Sequence, residues 1–107
     1  VEDDLKACAE FNRVLKPNGW GILQSPVYKL EKTLEDNSIT DPAEREQLFG
    51  QRDHVRKFGL DYAERLKKSG LIIEENQFVK EIPEEKVQRF ALAPDEILFV
   101  CKKGTTL

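Results

Sequence analysis

The chain has 107 residues, 39% of them hydrophobic, with 17 basic and 20 acidic side chains. That length suits one domain, able to bury roughly two thirds of its unfolded surface. A net charge of -3 gives no electrostatic reason to bind DNA or RNA, whose phosphates demand a basic face, and no apolar run approaches the ~20 residues of a membrane helix. The acidic first residues are unlike a secretory signal. Cys8 and Cys101 are the two cysteines, and without a disulfide framework they are expected as reduced thiols of a cytoplasmic protein. His54 is the single histidine and no CxxC pair occurs, so no metal site is expected.

Asp3 or Asp4 can cap a first helix reaching about Lys16, with Leu5, Cys8, Phe11, Val14 and Leu15 along one face. Pro17 stops it, because proline disfavours helical geometry in the residue before it. Asn18-Gly19 is a tight-turn pair, and Trp20 to Leu23 reads as a strand. Being apolar on both faces, this strand suits a buried interior position.

From 27 to 60 the chain becomes an excursion rich in charge, with one helix expected from Pro42 to Phe49. Asp41 stands at its N-cap, Pro42 at its first position and Gly50 just past its end. Excursions of this length are often lids or binding loops, with disorder as the competing explanation. A third helix follows, opened by an Asp61…Glu64 capping box and closed by Gly70. A strand is expected from Leu71, bending on towards Val79, then a short helix from Pro83 to Phe90 and a last strand from Glu96 to Lys103. The helix between the strands at Trp20 and Leu71 suits a crossover to a parallel partner, and the shorter final connection permits an antiparallel neighbour. This is half of an open α/β sheet.

Glu10-Phe11-Asn12-Arg13-Val14-Leu15-Lys16-Pro17-Asn18-Gly19-Trp20 resembles the E-x-x-R-V-L-K-P-G-G segment of class I S-adenosylmethionine-dependent methyltransferases, which joins the fourth helix of that fold to its fifth strand. Asn18 stands where the family usually has glycine, and asparagine also tolerates positive φ. Val1 to Asp4 resembles the end of the H-V-x-D motif, and Asp61 to Leu71 the following helix and sixth strand. The closing run resembles the seventh, antiparallel strand. The resemblance implies the C-terminal half of a Rossmann-like methyltransferase fold: a single partial domain over 1–107, with a three-stranded mixed sheet whose last strand is antiparallel, flanked by helices.

The family holds its cofactor on a glycine-rich loop after the first strand. Gly19-Trp20-Gly21 precedes a strand instead, so it reads as a turn and no cofactor-binding residue is expected in this chain. A start already past the fourth strand implies a truncated, proteolysed or mis-started chain. The parent enzyme would transfer methyl from S-adenosylmethionine to a small-molecule acceptor, and this chain by itself would be inactive.

Ligands of open α/β sheets sit at the carboxyl ends of strands. Gln24 and Tyr28 lie there, and the resemblance makes them substrate contacts; a simple strand exit is the alternative. Arg52, His54 and Arg56 form a second set, with His54 as candidate catalytic base and the arginines as an anion clamp. A solvated charged loop is the plainer reading of that run. Half a doubly wound sheet also exposes the edge of the strand at Trp20, which invites pairing. A non-catalytic module that forms homo-oligomers through this edge, or through the first helix, is therefore the second expectation, with Trp20 in the core or a subunit contact.

Overall fold

In the computed structural model, which describes residues 1–104, the first helix, α1 (Asp4–Val14), is capped by Asp3, whose carboxylate accepts from the Lys6 N–H at 2.9 Å. The backbone is already extended at Leu15, short of the expected Lys16, and Val14 is exposed. Gly19 N–H donates to the Lys16 carbonyl at 2.7 Å, closing the tight turn into β1 (Trp20–Ile22). The sequence also predicts a tail that frays from Gly104, and its residues 105–107 lie outside the described ones.

The excursion folds back on itself. β2 (Leu34–Glu35) pairs antiparallel with β3 (Arg56–Lys57), enclosing α2 (Pro42–Phe49). Asp41 caps α2 by accepting from the Glu44 N–H at 3.2 Å, and Gly50 closes it at φ 88°, as its sequence requires. Phe49 and Val55 bury beneath this loop. Then come α3 (Tyr62–Lys67), β4 (Ile72–Asn76), a 3₁₀ turn (Phe78–Glu81), α4 (Glu84–Arg89) and β5 (Leu98–Lys102).

The strand order is β1-β5-β4, and β5 is antiparallel to both neighbours. The expectation of a mixed sheet is therefore corrected: both hydrogen-bonded pairs are antiparallel. β1 and β4 run the same way, yet β5 separates them. The reason is hydrophobic burial, since β5 places Phe99 and fully buried Cys101 against the helices and so takes the centre. Beside them pack Tyr62, Ala63 and Leu66 of α3, Leu71, and Cys8 and Phe11 of α1.

Both helices cover this one face, so the other stays open. Trp20 opposes Lys102, which opposes Ile72, and directly opposed residues share a face. Trp20 is 64% exposed, Ile72 57% and Ile22 46%. The interior position expected for the strand at Trp20, and a core position for Trp20 itself, are thus corrected. The radius of gyration, 15.7 Å with a shortest extent of 21 Å, exceeds the about 13 Å of a compact chain this long, as one helix layer on one sheet should.

The two ends of the excursion close on each other by near backbone approach. Gly59 N–H donates to the Thr33 hydroxyl at 3.2 Å, and a Cβ there would stand 2.6 Å from the Leu30 carbonyl oxygen and 2.7 Å from the Lys32 carbonyl carbon. Backbone atoms cannot swing aside. Gly59→Ala should therefore destabilise the chain by about 1–3 kcal/mol, read as a lowered thermal midpoint in circular dichroism. An unchanged midpoint would mean that the backbone at this contact can yield.

Candidate functional site

At the carboxyl end of β1 the chain leaves the sheet through Leu23, Gln24, Ser25 and Pro26. Gln24 continues the ladder with its side chain. Its amide donates to the Glu96 carboxylate at 2.7 Å and the Ile97 carbonyl at 3.0 Å, and accepts from the Phe99 N–H at 2.7 Å. Three hydrogen bonds commit it to holding the 96–99 segment. Leu23 is fixed from below, because the Tyr62 hydroxyl donates to its carbonyl at 2.9 Å.

Ser25 and Pro26 form a wall between two clefts. The first, of about 270 Å³, is bounded by Tyr28, Phe49, Phe58, Gly50, Gln51 and the 53–57 segment. Tyr28, His54 and Arg56 all line it, so three of the expected residues come together here. The Tyr28 N–H donates to the Phe58 carbonyl at 2.8 Å, and the Lys57 ammonium lies 4.2 Å from the Tyr28 ring centre. That geometry favours the cation electrostatically. Lys57 is not among the residues that the sequence singles out; a lone lysine in a charged run carries no signal until β3 sets it above the ring. His54 stands 4.0 Å from the Asp53 carboxylate, with the Asp53 side chain 86% and the His54 side chain 44% exposed, so this pair is weak. The imidazole can take a proton from a group docked in the cleft. It is not locked in orientation by a buried carboxylate.

Arg56 has a different surrounding. Its guanidinium is 8% exposed and donates to the Val1 carbonyl at 2.5 Å, the Glu2 carbonyl at 2.7 Å and the Glu35 carboxylate at 3.2 Å. These bonds hold β3 against the residues leading into α1, and its side chain is spent on them. Arg52 is exposed on the turn after α2 and lines neither cleft. Gln24 borders the second cleft and not the first. The five residues proposed from sequence therefore divide: Tyr28, His54 and Arg56 border one cleft, with the Arg56 guanidinium already bonded to the frame, while Gln24 and Arg52 lie apart from it.

Sequence reasoning also misses the charge cluster behind the site. Arg65 of α3 donates to both Asp4 carboxylate oxygens at 2.9 to 3.0 Å and to Glu35 at 3.2 Å. Asp4 and Arg65 side chains are each 15% exposed. Burial opposes the Arg65 charge, but its hydrogen bonds with Asp4 outweigh that and hold its pKa above the usual arginine value. Asp61 likewise departs from its expected capping role: its carboxylate accepts from the Thr33 N–H at 2.9 Å and hydroxyl at 2.6 Å. Burial pushes that carboxyl up, yet these bonds keep it below the ordinary aspartate value.

Neither glycine of the Gly19-Trp20-Gly21 turn opens on a ligand space. A Cβ on Gly19 would meet the Lys16 carbonyl oxygen at 2.9 Å, and one on Gly21 the Phe11 ring at 2.7 Å. Here the glycines let a strand pass under a helix, so these residues do not fit an adenosine or methionine moiety. In comparisons with known proteins, no family model, curated protein or solved structure matches this chain.

Tyr62 links the clefts to the core, with ring centres 4.6 Å from Phe58 and 4.7 Å from Phe99. Burial raises its phenol from 10.0 to about 12. The unfolded phenol loses its proton first, so its contribution is complete below pH 10 and declines as pH rises from 10 to about 12. The loss tends to roughly 2–3 kcal/mol. Urea unfolding across that window should show a fall in the native chain that Tyr62→Phe lacks. At neutral pH the variant should be less stable by about 1 kcal/mol for the lost hydrogen bond. Parallel curves for the two proteins would refute the assignment.

Breaking the cluster should cost more. Arg65→Met leaves Asp4 and Glu35 facing Arg56 alone, and should destabilise the fold by about 2–4 kcal/mol in the same urea assay. A change under ~0.5 kcal/mol would show the cluster to be solvated and weak, as surface pairs are.

Proposed function

We propose that this chain is the acceptor-side portion of an S-adenosylmethionine-dependent methyltransferase acting on a small molecule, with the cofactor held by a different segment. The observation that carries this reading is the Glu10–Trp20 segment. Its residues form a helix, a tight turn at Asn18-Gly19 and a strand, and the carboxyl end of that strand leads into the cleft lined by Tyr28 and His54. The antiparallel last strand agrees with the same resemblance.

In this reading the Tyr28 and Phe58 rings hold the body of the acceptor, and the Lys57 ammonium faces its polar end. The His54 imidazole accepts the proton that an oxygen or nitrogen nucleophile must lose. Most of the acceleration expected of such a site is positional, from holding acceptor and methyl donor in line. The cofactor supplies the methyl group and binds outside the described residues.

Calorimetric titration of S-adenosylhomocysteine into the 107-residue chain should give no binding heat, and labelled S-adenosylmethionine no transfer. Small hydroxy and amino compounds should shift the amide resonances of Tyr28, His54 and Lys57. Saturable S-adenosylhomocysteine binding would place the cofactor site inside this chain and sink the acceptor-side reading. Ligand shifts confined to other residues would sink the assigned cleft.

One observation favours a second reading, a non-catalytic module that self-associates. The open face carries Trp20, Ile22 and Ile72 in exposed register, and β1 has no partner on its outer edge among the described residues. Such an edge invites pairing with another copy. Sedimentation should then show concentration-dependent association that Trp20→Ser weakens, with Trp20 emission moving to shorter wavelength as copies associate. A strictly monomeric particle would remove this reading.

A further inference from the structure

Beyond the wall of Ser25 and Pro26, the second cleft has a volume of about 710 Å³, within the roughly 300–1,000 Å³ common for ligand pockets. Buried Tyr62 and Phe99 form its floor, and Leu60, 70% exposed, stands at its side. Its charged lining consists of Glu75, Asp95 and Glu96, with no lysine, arginine or histidine. None of these three carboxylates is paired with a cation among the described residues. Glu96 is held in place by the Gln24 amide at 2.7 Å, and the register of Glu75 opposite Phe99 sets it on the face of the cleft floor. The neighbouring cleft, by contrast, carries Lys57 and His54.

We propose that this second cleft binds a small organic ammonium ion with an apolar body. The aromatic floor and Leu60 take the hydrocarbon part, and the carboxylates face the cationic end. Apolar walls alone would accept a neutral or anionic molecule equally well; three uncompensated acids select the cation, because placing an anion beside them is repulsive. The inference does not rest on methyl transfer and does not involve His54.

The test uses three probes of one size, hexylammonium, hexan-1-ol and hexanoate, each titrated into the 107-residue chain and followed by amide resonances. Hexylammonium should shift residues 60–63 and 96–99, bind more tightly than hexan-1-ol, and weaken as salt screens the carboxylates. Hexanoate should bind least. Glu75→Gln combined with Asp95→Asn should weaken hexylammonium by roughly two- to tenfold; both residues are exposed, and the spread of amide resonances verifies folding. His54→Gln should leave hexylammonium binding unchanged, which separates this proposal from the acceptor cleft. Equal affinity for hexanoate, loss of hexylammonium binding in His54→Gln, or no binding of hexylammonium would overturn the proposal. So would binding of a lysine-rich peptide without binding of hexylammonium, which would make the cleft a peptide surface.

Discussion

Asp4, Glu35, Arg56 and Arg65 meet where α1, the two strands of the excursion and α3 converge, and the arrangement of the molecule hangs on that meeting. Two guanidinium groups face two carboxylates, so the cluster is neutral as a set. Glu35 stays partly in solvent, but Asp4, Arg56 and Arg65 are little exposed; such groups gain strong attraction and lose much hydration, and the two nearly cancel. What the cluster contributes is geometry. Arg65 grips Asp4 with a bidentate fork, and Arg56 adds the carbonyls of Val1 and Glu2. Planar, directional bonds of this kind admit one seating of the excursion.

With its base pinned, the excursion becomes a wall. Thr33 bridges Asp61 and Gly59, and the Leu30 carbonyl accepts from Leu60 N–H at 2.6 Å. These bonds bring 50–58 beside the end of β1, so that the Tyr28 and His54 cleft is walled by backbone tied at several points. On the other side, Gln24 closes the gap between β1 and the start of β5 with its own amide. A side chain used as ladder satisfies two backbone groups, the Ile97 carbonyl and the Phe99 N–H, that the short strand would leave open. The two clefts thus share one exit of one strand and differ in charge.

Several features are legible in the amino-acid sequence. Asp3, Asp41, Pro42 and Gly50 mark helix ends by local hydrogen bonding and backbone preference, and they act as expected. The turn before Trp20 and the apolar run of β5 are equally local signals. Less legible is whatever depends on neighbours distant along the chain. Asp61 reads as a helix cap, yet Thr33, 28 residues away, competes for its carboxylate and takes it. Arg56 reads as an anion clamp within a charged run, but Asp4, Glu35 and the first backbone carbonyls surround it.

By itself, the sequence determined an α/β chain with capped helices, short strands and a charged excursion, because caps, prolines and apolar periodicity act over a few residues. Tertiary structure decided that β5 lies in the centre, that Trp20 faces outward, and that Tyr28 and His54 share a cleft while Gln24 and Arg56 hold the frame. Strand order and charge partnership depend on which surfaces bury together across the whole chain. No short window of sequence contains both partners of such a contact.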